Sequence, residues 1–240
     1  MHVPDGFLPA PVCIAGYGLT GLVTWYSIKR INRTGDPASE IPKASLLAAA
    51  FFVASSIHIP VPPLSVHLVL NGLLGAVLGF YAFPAILVGL FFQAMFIGHG
   101  GLTTLGVNAC IMGLPALVAY GLFRLRRRVP GPQQDAIASF LAGSVGVGLA
   151  ALLFIGLIVL NVPPEMDAAA ERTALLGLGL AHVPLVLAEG AFTALLVAFL
   201  QRVKPELVSP AAQRVTVPIA GPTVPIAGPV VTPPDRRPSL

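Results

Sequence analysis

The chain has 240 residues, of which 55% are hydrophobic and only 10% charged, and its mean hydropathy is +0.85. Soluble domains carry about 25% charged residues, so this composition excludes a soluble globular protein and indicates an integral membrane protein. Apolar stretches of helical length recur along the chain, and the alternating ten-residue segments of membrane barrels are missing. The predicted fold class is therefore an all-α membrane protein, and the net charge of +4 is better explained by membrane topology than by nucleic-acid binding.

Seven membrane spans are predicted once the 34-residue apolar run 64–97 is divided. That run is too long for one helix, and Phe83-Pro84 after Gly79 predicts a tight turn inside it. The other predicted spans cover residues 8–28, 44–57, 107–123, 136–160 and 174–200.

The positive charges predict the orientation of these spans. With seven spans, thirteen of the 14 Lys and Arg residues lie on one side of the membrane, Arg172 being the exception. The positive-inside rule makes that side the cytoplasm. We therefore expect a multi-pass protein of the plasma membrane with its N-terminus outside and its C-terminus in the cytoplasm. A transmembrane domain over residues 1–204 is followed by a proline-rich tail, 205–240, which we expect to be disordered.

The first residues offer a metal chelator. The α-amine of Met1 and the amide nitrogen and imidazole of His2 can close two fused rings that suit Ni²⁺ or Cu²⁺, and low-spin Co²⁺ less exclusively. We expect Met1 to keep a free amine, because histidine in second position prevents its removal. Pro4-Asp5-Gly6 supplies turn residues that would swing this end back into the outer mouth of the bundle. The alternative is an ordinary solvated N-terminus.

A fourth nitrogen must come from another part of the chain. All five histidines fall on the outer side or in the outer part of a span. His67, near the outer start of the third span, is the predicted ligand, with capping or packing as its alternative role. His58 lies in a loop and could face solvent. Residues predicted to support the ligands through hydrogen bonds are Ser65, Asn71, His99, Thr103, Thr104, Asn108, His182 and Glu189.

Three of these supporting residues could instead have a purely structural role. His99 begins a glycine-rich break and could cap a helix. His182 and Glu189 lie two turns apart on one face of the last span, where they could form a buried polar cluster that positions helices. A membrane-embedded enzyme built on these three residues is a further alternative, although no nucleophile–base spacing supports it.

Motifs that the sequence lacks narrow the function. There is no GxxxxGK[ST] phosphate loop, so the chain cannot energise transport by itself, and there is no HExxH protease motif. The two cysteines form no CxxC pair, which disfavours a thiolate metal site. A transporter subunit that is not an enzyme is therefore expected, with an ATP-independent channel or carrier as the alternative.

Four segments resemble the CbiM/NikM proteins: MHVPDGFL at the start, SVHLVLNGLLG at 65–75, GHGGLTTLGVNA at 98–109 and HVPLVLAEG at 182–190. These proteins are the substrate-binding membrane components (S components) of cobalt and nickel energy-coupling factor transporters. The resemblance covers roughly residues 1–204. It implies a seven-helix bundle with an inserted N-terminal loop, and a metal held by the Met1 amine, the His2 amide and imidazole, and His67.

The resemblance also implies partners and a cargo. The partners are a transmembrane coupling subunit (T), two ATP-binding subunits, often a small accessory membrane protein, and the lipid bilayer, without nucleic acid. Co²⁺ or Ni²⁺ is then the transported substrate. Pro4-Asp5-Gly6-Phe7 resembles the cobalt branch, which supports cobalamin biosynthesis, whereas the planar chelate by itself favours Ni²⁺. We therefore predict a cobalt importer subunit, with nickel as the alternative.

Overall fold

The computed structural model describes residues 2–33, 37–61, 64–126, 131–161 and 168–208. Almost all of this part of the chain is helical, as the composition predicts. A short antiparallel pair of strands lies between the second and third helices. The helices are α1 (Ala10–Ile31), α2 (Pro37–Ser56), α3 (Asn71–Leu78), α4 (Ala82–Phe96), α5 (Leu105–Leu125), α6 (Pro132–Leu160) and α7 (Ala168–Val203), and the strands are β1 (His58–Val61) and β2 (Leu64–His67).

Four helical stretches in the described residues are long and apolar enough to cross a membrane: Asn71–Phe96, Leu105–Leu125, Gln133–Leu160 and Leu176–Val203. They correspond to the third to seventh predicted spans. Helices α1 and α2 cover the first two predicted spans and expose large apolar side chains such as Trp25 and Leu46. Exposed apolar surface of this kind is typical of helices that face lipid. These features fit a multi-pass membrane protein.

Helices α3 and α4 are joined by the single 3-10 turn Gly79–Tyr81. Together they form one apolar stretch of 26 residues. When α3 and α4 are counted as one segment, the described ranges contain six helical segments, so the predicted seven spans are not confirmed. Gly79 has φ +62° and ψ −123°, which is not helical. A straight helix of 26 residues would be about 39 Å long. The rings of His67 and His99, which flank the stretch, lie only 5.6 Å apart, so the chain folds back at Gly79, where the turn was predicted.

The prediction that a helix begins at Leu64 is wrong. Residues 64–67 form strand β2, which pairs with β1 so that His67 lies opposite His58. Helix α3 begins only at Asn71, because Leu70 adopts left-handed backbone with φ +53°. A residue in that conformation cannot continue a right-handed helix. His67 therefore projects from the end of a strand.

Helix α3 occupies the centre of the bundle, and all of its residues are buried. The Asn71 amide donates to Met112 O at 3.2 Å and to Gly146 O at 2.9 Å, which links α3 to α5 and α6. A Cβ on Gly146 would lie 2.6 Å from Gly72 Cα, so only glycine allows α6 to approach α3 this closely. The start of α3, which follows soon after His67 in the chain, is therefore fixed by contacts with both α5 and α6.

Polar contacts join several helices at the opposite end of the bundle. Arg126 forms an ion pair with Asp135 at 2.8 Å, and Gln201 Nε2 donates to Asp135 Oδ2 at 2.6 Å. Arg126 also donates to the carbonyl of the buried Val208 at 3.2 Å. Residues 205–208 therefore pack against the helices just beyond the predicted boundary at 204. The predicted tail from residue 209 onward lies outside the described residues.

Candidate metal centre

Three imidazoles from distant parts of the chain meet at one end of the bundle. One ring nitrogen from each of His2, His67 and His99 lies within 4.8 Å of the others. The ring centroids are 5.5 Å apart for His2 and His67 and 4.3 Å apart for His2 and His99. Two nitrogens bound to one ion at about 2.1 Å lie at most about 4.2 Å apart. Small side-chain movements would therefore bring all three nitrogens onto one transition-metal ion.

The backbone beside His2 is held by an amide side chain from α5. Asn108 Oδ1 accepts the Val3 N–H at 2.9 Å, and Asn108 Nδ2 donates to Val3 O at 3.0 Å. The Thr104 hydroxyl donates to the same carbonyl at 2.7 Å. Asn108 and Thr104 were predicted to support the ligands. In the structure they hold the residue that follows His2, and so fix where its ring can reach.

Apolar packing holds the same N-terminal loop. Val3 is fully buried, and together with Leu8 it packs against Val107, Ile111 and Ala150 of helices α5 and α6. Complete burial of a valine side chain is worth about 1.5–3 kcal/mol. The loop is therefore bound to the bundle by both polar and apolar contacts on the residue next to His2.

Asp5 forms a second attachment of this loop. Its carboxylate accepts the N–H groups of Leu102 at 3.1 Å and Thr103 at 2.8 Å, together with the Thr103 hydroxyl. The hydrogen bond from that hydroxyl, helped by the backbone N–H groups, lowers the pKa of Asp5 below its ordinary value of 3.8. The predicted turn is present, with Gly6 at φ +80°. The sequence prediction treated Asp5 only as a turn residue. The sequence signal that could have revealed this role is the carboxylate itself, because a carboxylate can accept hydrogen bonds from backbone N–H groups at the glycine- and threonine-rich start of α5.

Gly101 explains how the loop can approach so closely. A Cβ at this position would lie 2.1 Å from Asp5 Oδ1 and 2.6 Å from the Asp5 backbone nitrogen. Distances that short are sterically forbidden, and the backbone nitrogen cannot move aside as a flexible side chain could. The glycine-rich break before α5 is therefore the surface on which the N-terminal loop rests.

The orientation of His67 depends on the segment that follows it. His67 Nδ1 lies 3.1 Å from Leu68 O. A proton donated from Nδ1 to that carbonyl leaves Nε2 unprotonated, which is the state that binds a metal. The carboxylate of the fully buried Glu189 accepts the N–H groups of Val69 and Leu70. Glu189 was predicted as a supporting residue, and the structure places it on the backbone two and three residues after His67.

The remaining predicted residues lie elsewhere or outside the description. His182 is buried in α7, where its Nδ1 lies 2.7 Å from Leu178 O of the same helix, and it is not part of the three-histidine group. Ser65 and His58 belong to the strand pair, but their side chains are outside the described part of the structure. Met1 also lies outside the described residues.

Comparison with known proteins identifies the family. The profile described as cobalt uptake substrate-specific transmembrane region (CbiM) matches residues 2–207. A putative metal transport protein of Haemophilus influenzae is 34% identical over 211 residues, covering 87% of this chain and 97% of that protein. A putative cobalt transport protein CbiM of Methanocaldococcus jannaschii is 30% identical over 212 residues, covering 87% of this chain and 90% of that protein.

Solved structures agree with these relatives. Two crystal structures, described as a transition metal transporter and a truncated transition metal transporter, each superpose with a TM-score of 0.71. They are 27% and 26% identical to this chain, cover 85% of it, and are themselves covered to 93% and 99%. The fold, the apolar helices and the sequence relatives agree. The chain belongs to the CbiM family, whose members are membrane components of cobalt and nickel uptake.

Proposed function

We propose that this chain is the substrate-binding membrane subunit of an ATP-driven Co²⁺ importer of the energy-coupling factor type, with Ni²⁺ as the alternative cargo. The convergence of His2, His67 and His99 within 4.8 Å is the observation that carries the proposal. Neutral imidazoles are common ligands of both metals. Members of this family are named for cobalt transport, and the fused NikMN relative of Rhodobacter capsulatus, 32% identical to this chain, is named for nickel transport.

The proposed ligands are the Met1 amine, the His2 amide nitrogen and imidazole, and the His67 imidazole. These four nitrogens can form a plane around the ion. The His99 ring, 4.3 Å from that of His2, would supply a fifth nitrogen. Square-planar nitrogen sites suit Ni²⁺, so a fifth nitrogen shifts the preference of the site toward Co²⁺. His99 therefore supports the cobalt assignment, which the chelate alone does not.

The proposed topology has seven spans, with the metal site at the outer end. The reversal of the chain at Gly79 supports separate third and fourth spans, because it brings the start of α3 and the end of α4 to the same end of the bundle. The positive-inside rule then places the N-terminus outside and the C-terminus in the cytoplasm. The N-terminal loop would close the outer mouth over the bound ion.

Transport requires partners in this proposal, because the sequence has no phosphate-binding loop. A transmembrane coupling subunit and ATP-binding subunits would supply the energy, and a small accessory membrane protein completes the proposed set. ATP hydrolysis by the partners would tip this subunit in the bilayer and release the ion inward. The chain itself contributes capture and specificity.

Metal analysis of the full chain, purified with an untouched N-terminus, tests the capture site. We expect one Co²⁺ or Ni²⁺ per chain. One residue added before Met1, or His2→Ala, should abolish tight binding, because either change destroys the chelate. One residue added after Leu240 is the matched control and should leave binding intact. Tight binding that survives both N-terminal changes would contradict the ligand set.

Uptake into proteoliposomes tests the need for partners. Vesicles containing only this chain should not accumulate ⁵⁷Co²⁺, whereas vesicles that also contain the coupling and ATP-binding subunits should do so only with ATP. ATP-independent uptake by the chain alone would instead favour a channel or a secondary carrier.

A further inference from the structure

Glu189 of α7 holds the backbone that leads into α3. Leu70 occupies the N-cap position of α3 and has no side-chain group that could accept a hydrogen bond. The first N–H groups of a helix lack partners within the helix itself. The Glu189 carboxylate, from the middle of α7, accepts the Val69 N–H, and it also accepts the Leu70 N–H with both oxygens, at 3.1 and 3.2 Å. A buried carboxylate on α7 thus holds the N-cap residue of α3 and the residue before it, although it lies 119 residues away in the chain.

The backbone held in this way is strained. Leu70, at φ +53°, is the only non-glycine residue with positive φ among the residues that the structure describes. L-residues other than Asn and Asp rarely adopt this conformation without support from their surroundings. The hydrogen bonds from the Val69 and Leu70 N–H groups to Glu189 supply that support. Only residues 68–70 separate His67 from α3, so their conformation sets the direction of the His67 ring.

The other end of the contact is also fixed. A Cβ on Gly143 of α6 would lie 2.6 Å from Glu189 O and 2.9 Å from Gly190 Cα, so the two helices touch at the backbone. The Ser144 hydroxyl donates to Val186 O at 3.1 Å, which adds a polar bond between the same helices. Glu189 therefore extends from a rigid pair of helices, and its carboxylate cannot shift without its own side chain changing conformation.

We infer that Glu189 is a positioning residue for metal binding: by holding the backbone of residues 69 and 70, it aims the His67 imidazole at His2 and His99. The inference rests on the proposed role of His67 as a metal ligand. Glu189 does not bind the ion in this scheme. It fixes the position of one ligand. The affinity for the metal should therefore depend more on the length of the Glu189 side chain than on its charge.

Two conservative variants separate the effect of side-chain length from the effect of charge. Glu189→Asp keeps the carboxylate but is one methylene shorter, whereas Glu189→Gln keeps the length and one acceptor oxygen but loses the charge. Loss of a residue that orients a metal ligand typically weakens binding by about 10- to 100-fold. We expect Glu189→Asp to raise the Co²⁺ dissociation constant by that factor and to change the visible absorption spectrum of bound Co²⁺. Glu189→Gln should bind more tightly than Glu189→Asp and retain a spectrum closer to that of the unaltered chain.

Thr193→Val is the matched control. Thr193 lies one turn further along α7, is fully buried, and its hydroxyl has no hydrogen-bond partner within the described ranges. The variant should therefore bind Co²⁺ with unchanged affinity and spectrum. Each variant is assayed as the full chain with a free N-terminus, by titration with Co²⁺ alone and with thermal unfolding recorded in parallel.

Three results would overturn the inference. They are an unchanged dissociation constant and spectrum in Glu189→Asp, an equal loss in Glu189→Gln, which assigns the effect to charge, and an equal loss in Thr193→Val, which assigns it to general packing. Failure of the unaltered chain to bind either Co²⁺ or Ni²⁺ is a different result, because it refutes the proposed function itself. Normal binding by the unaltered chain together with indifference to Glu189→Asp refutes the positioning role alone.

Discussion

Asn108→Ala should detach the N-terminal loop while leaving the three histidines in the sequence. Asn108 is almost fully buried, and its amide makes two hydrogen bonds to the backbone of Val3, at 2.9 and 3.0 Å. Alanine makes neither bond. The Val3 carbonyl would still accept from the Thr104 hydroxyl at 2.7 Å, but the buried Val3 N–H would lose its acceptor.

The size of the effect follows from these contacts. A buried N–H left without an acceptor costs about 1–3 kcal/mol, and the lost bond to the carbonyl is worth about 1 kcal/mol. The docked loop should therefore be destabilised by about 2–4 kcal/mol. Because each 1.4 kcal/mol is a factor of ten, about 2 kcal/mol lowers the equilibrium constant for docking about 30-fold, and the docked fraction falls with it. The apparent dissociation constant for the metal rises as that fraction falls.

Calorimetric titration of the full chain with Co²⁺ measures this change. Asn161→Ala is the matched control, since Asn161, the residue after α6, donates Nδ2 to Leu157 O at 2.8 Å, and this bond does not involve the N-terminal loop. We expect a weakening of about 30-fold or more for Asn108→Ala, and wild-type affinity for Asn161→Ala. An unchanged dissociation constant in Asn108→Ala, or an equal loss in both variants, would refute the link between loop docking and capture.

Three further predictions concern the same centre. Gly101→Ala should weaken Co²⁺ binding at least as much as Asn108→Ala, because its Cβ would clash with the backbone of Asp5, whereas Gly18→Ala, with open space at its Cβ, should bind normally in the same titration. His99→Ala should weaken the binding of Co²⁺ more than that of Ni²⁺ in paired titrations. Equal losses for both metals would contradict a fifth nitrogen ligand. The control His182→Ala removes a histidine outside the group and should still bind both metals. Affinity should fall as the pH is lowered, because imidazoles must be unprotonated to bind metal. Asp5, whose lowered pKa keeps its stabilising contribution intact above 3.8, should not contribute to this loss, so Asp5→Asn should shift the affinity equally at every pH between about 5.5 and 8.

The sequence identified the helices because membrane helices are specified locally. Apolar length and flanking charge depend only on neighbouring residues, and the described helices overlap the predicted apolar spans, although α3 and α4 form one apolar stretch. The turn at Gly79 was predictable for the same reason, since a 34-residue apolar run cannot remain one helix in a bilayer. The strand pair before α3 was missed, because hydropathy does not distinguish an apolar strand from the start of an apolar helix.

The candidate site could be predicted from the sequence only in part. His2 and His67 could be predicted as ligands from chemistry and position, but His99 was predicted only to support them, and Asp5 was taken only for a turn. Their roles depend on which residues lie next to which across more than 90 positions of sequence, as in the bonds from Asp5 to residues 102 and 103.

The sequence by itself determined that this is an apolar helical membrane protein, because composition and residue order suffice for that conclusion, and it predicted a chelating N-terminal segment. Only the tertiary structure decided that the loop docks on Gly101 and Asn108, that a third imidazole joins the other two, and that Glu189 supports the backbone after His67. These contacts arise from close helix packing, in which a single Cβ or one hydrogen bond determines whether distant segments meet. That information lies in the distances between segments, and local sequence pattern does not contain it.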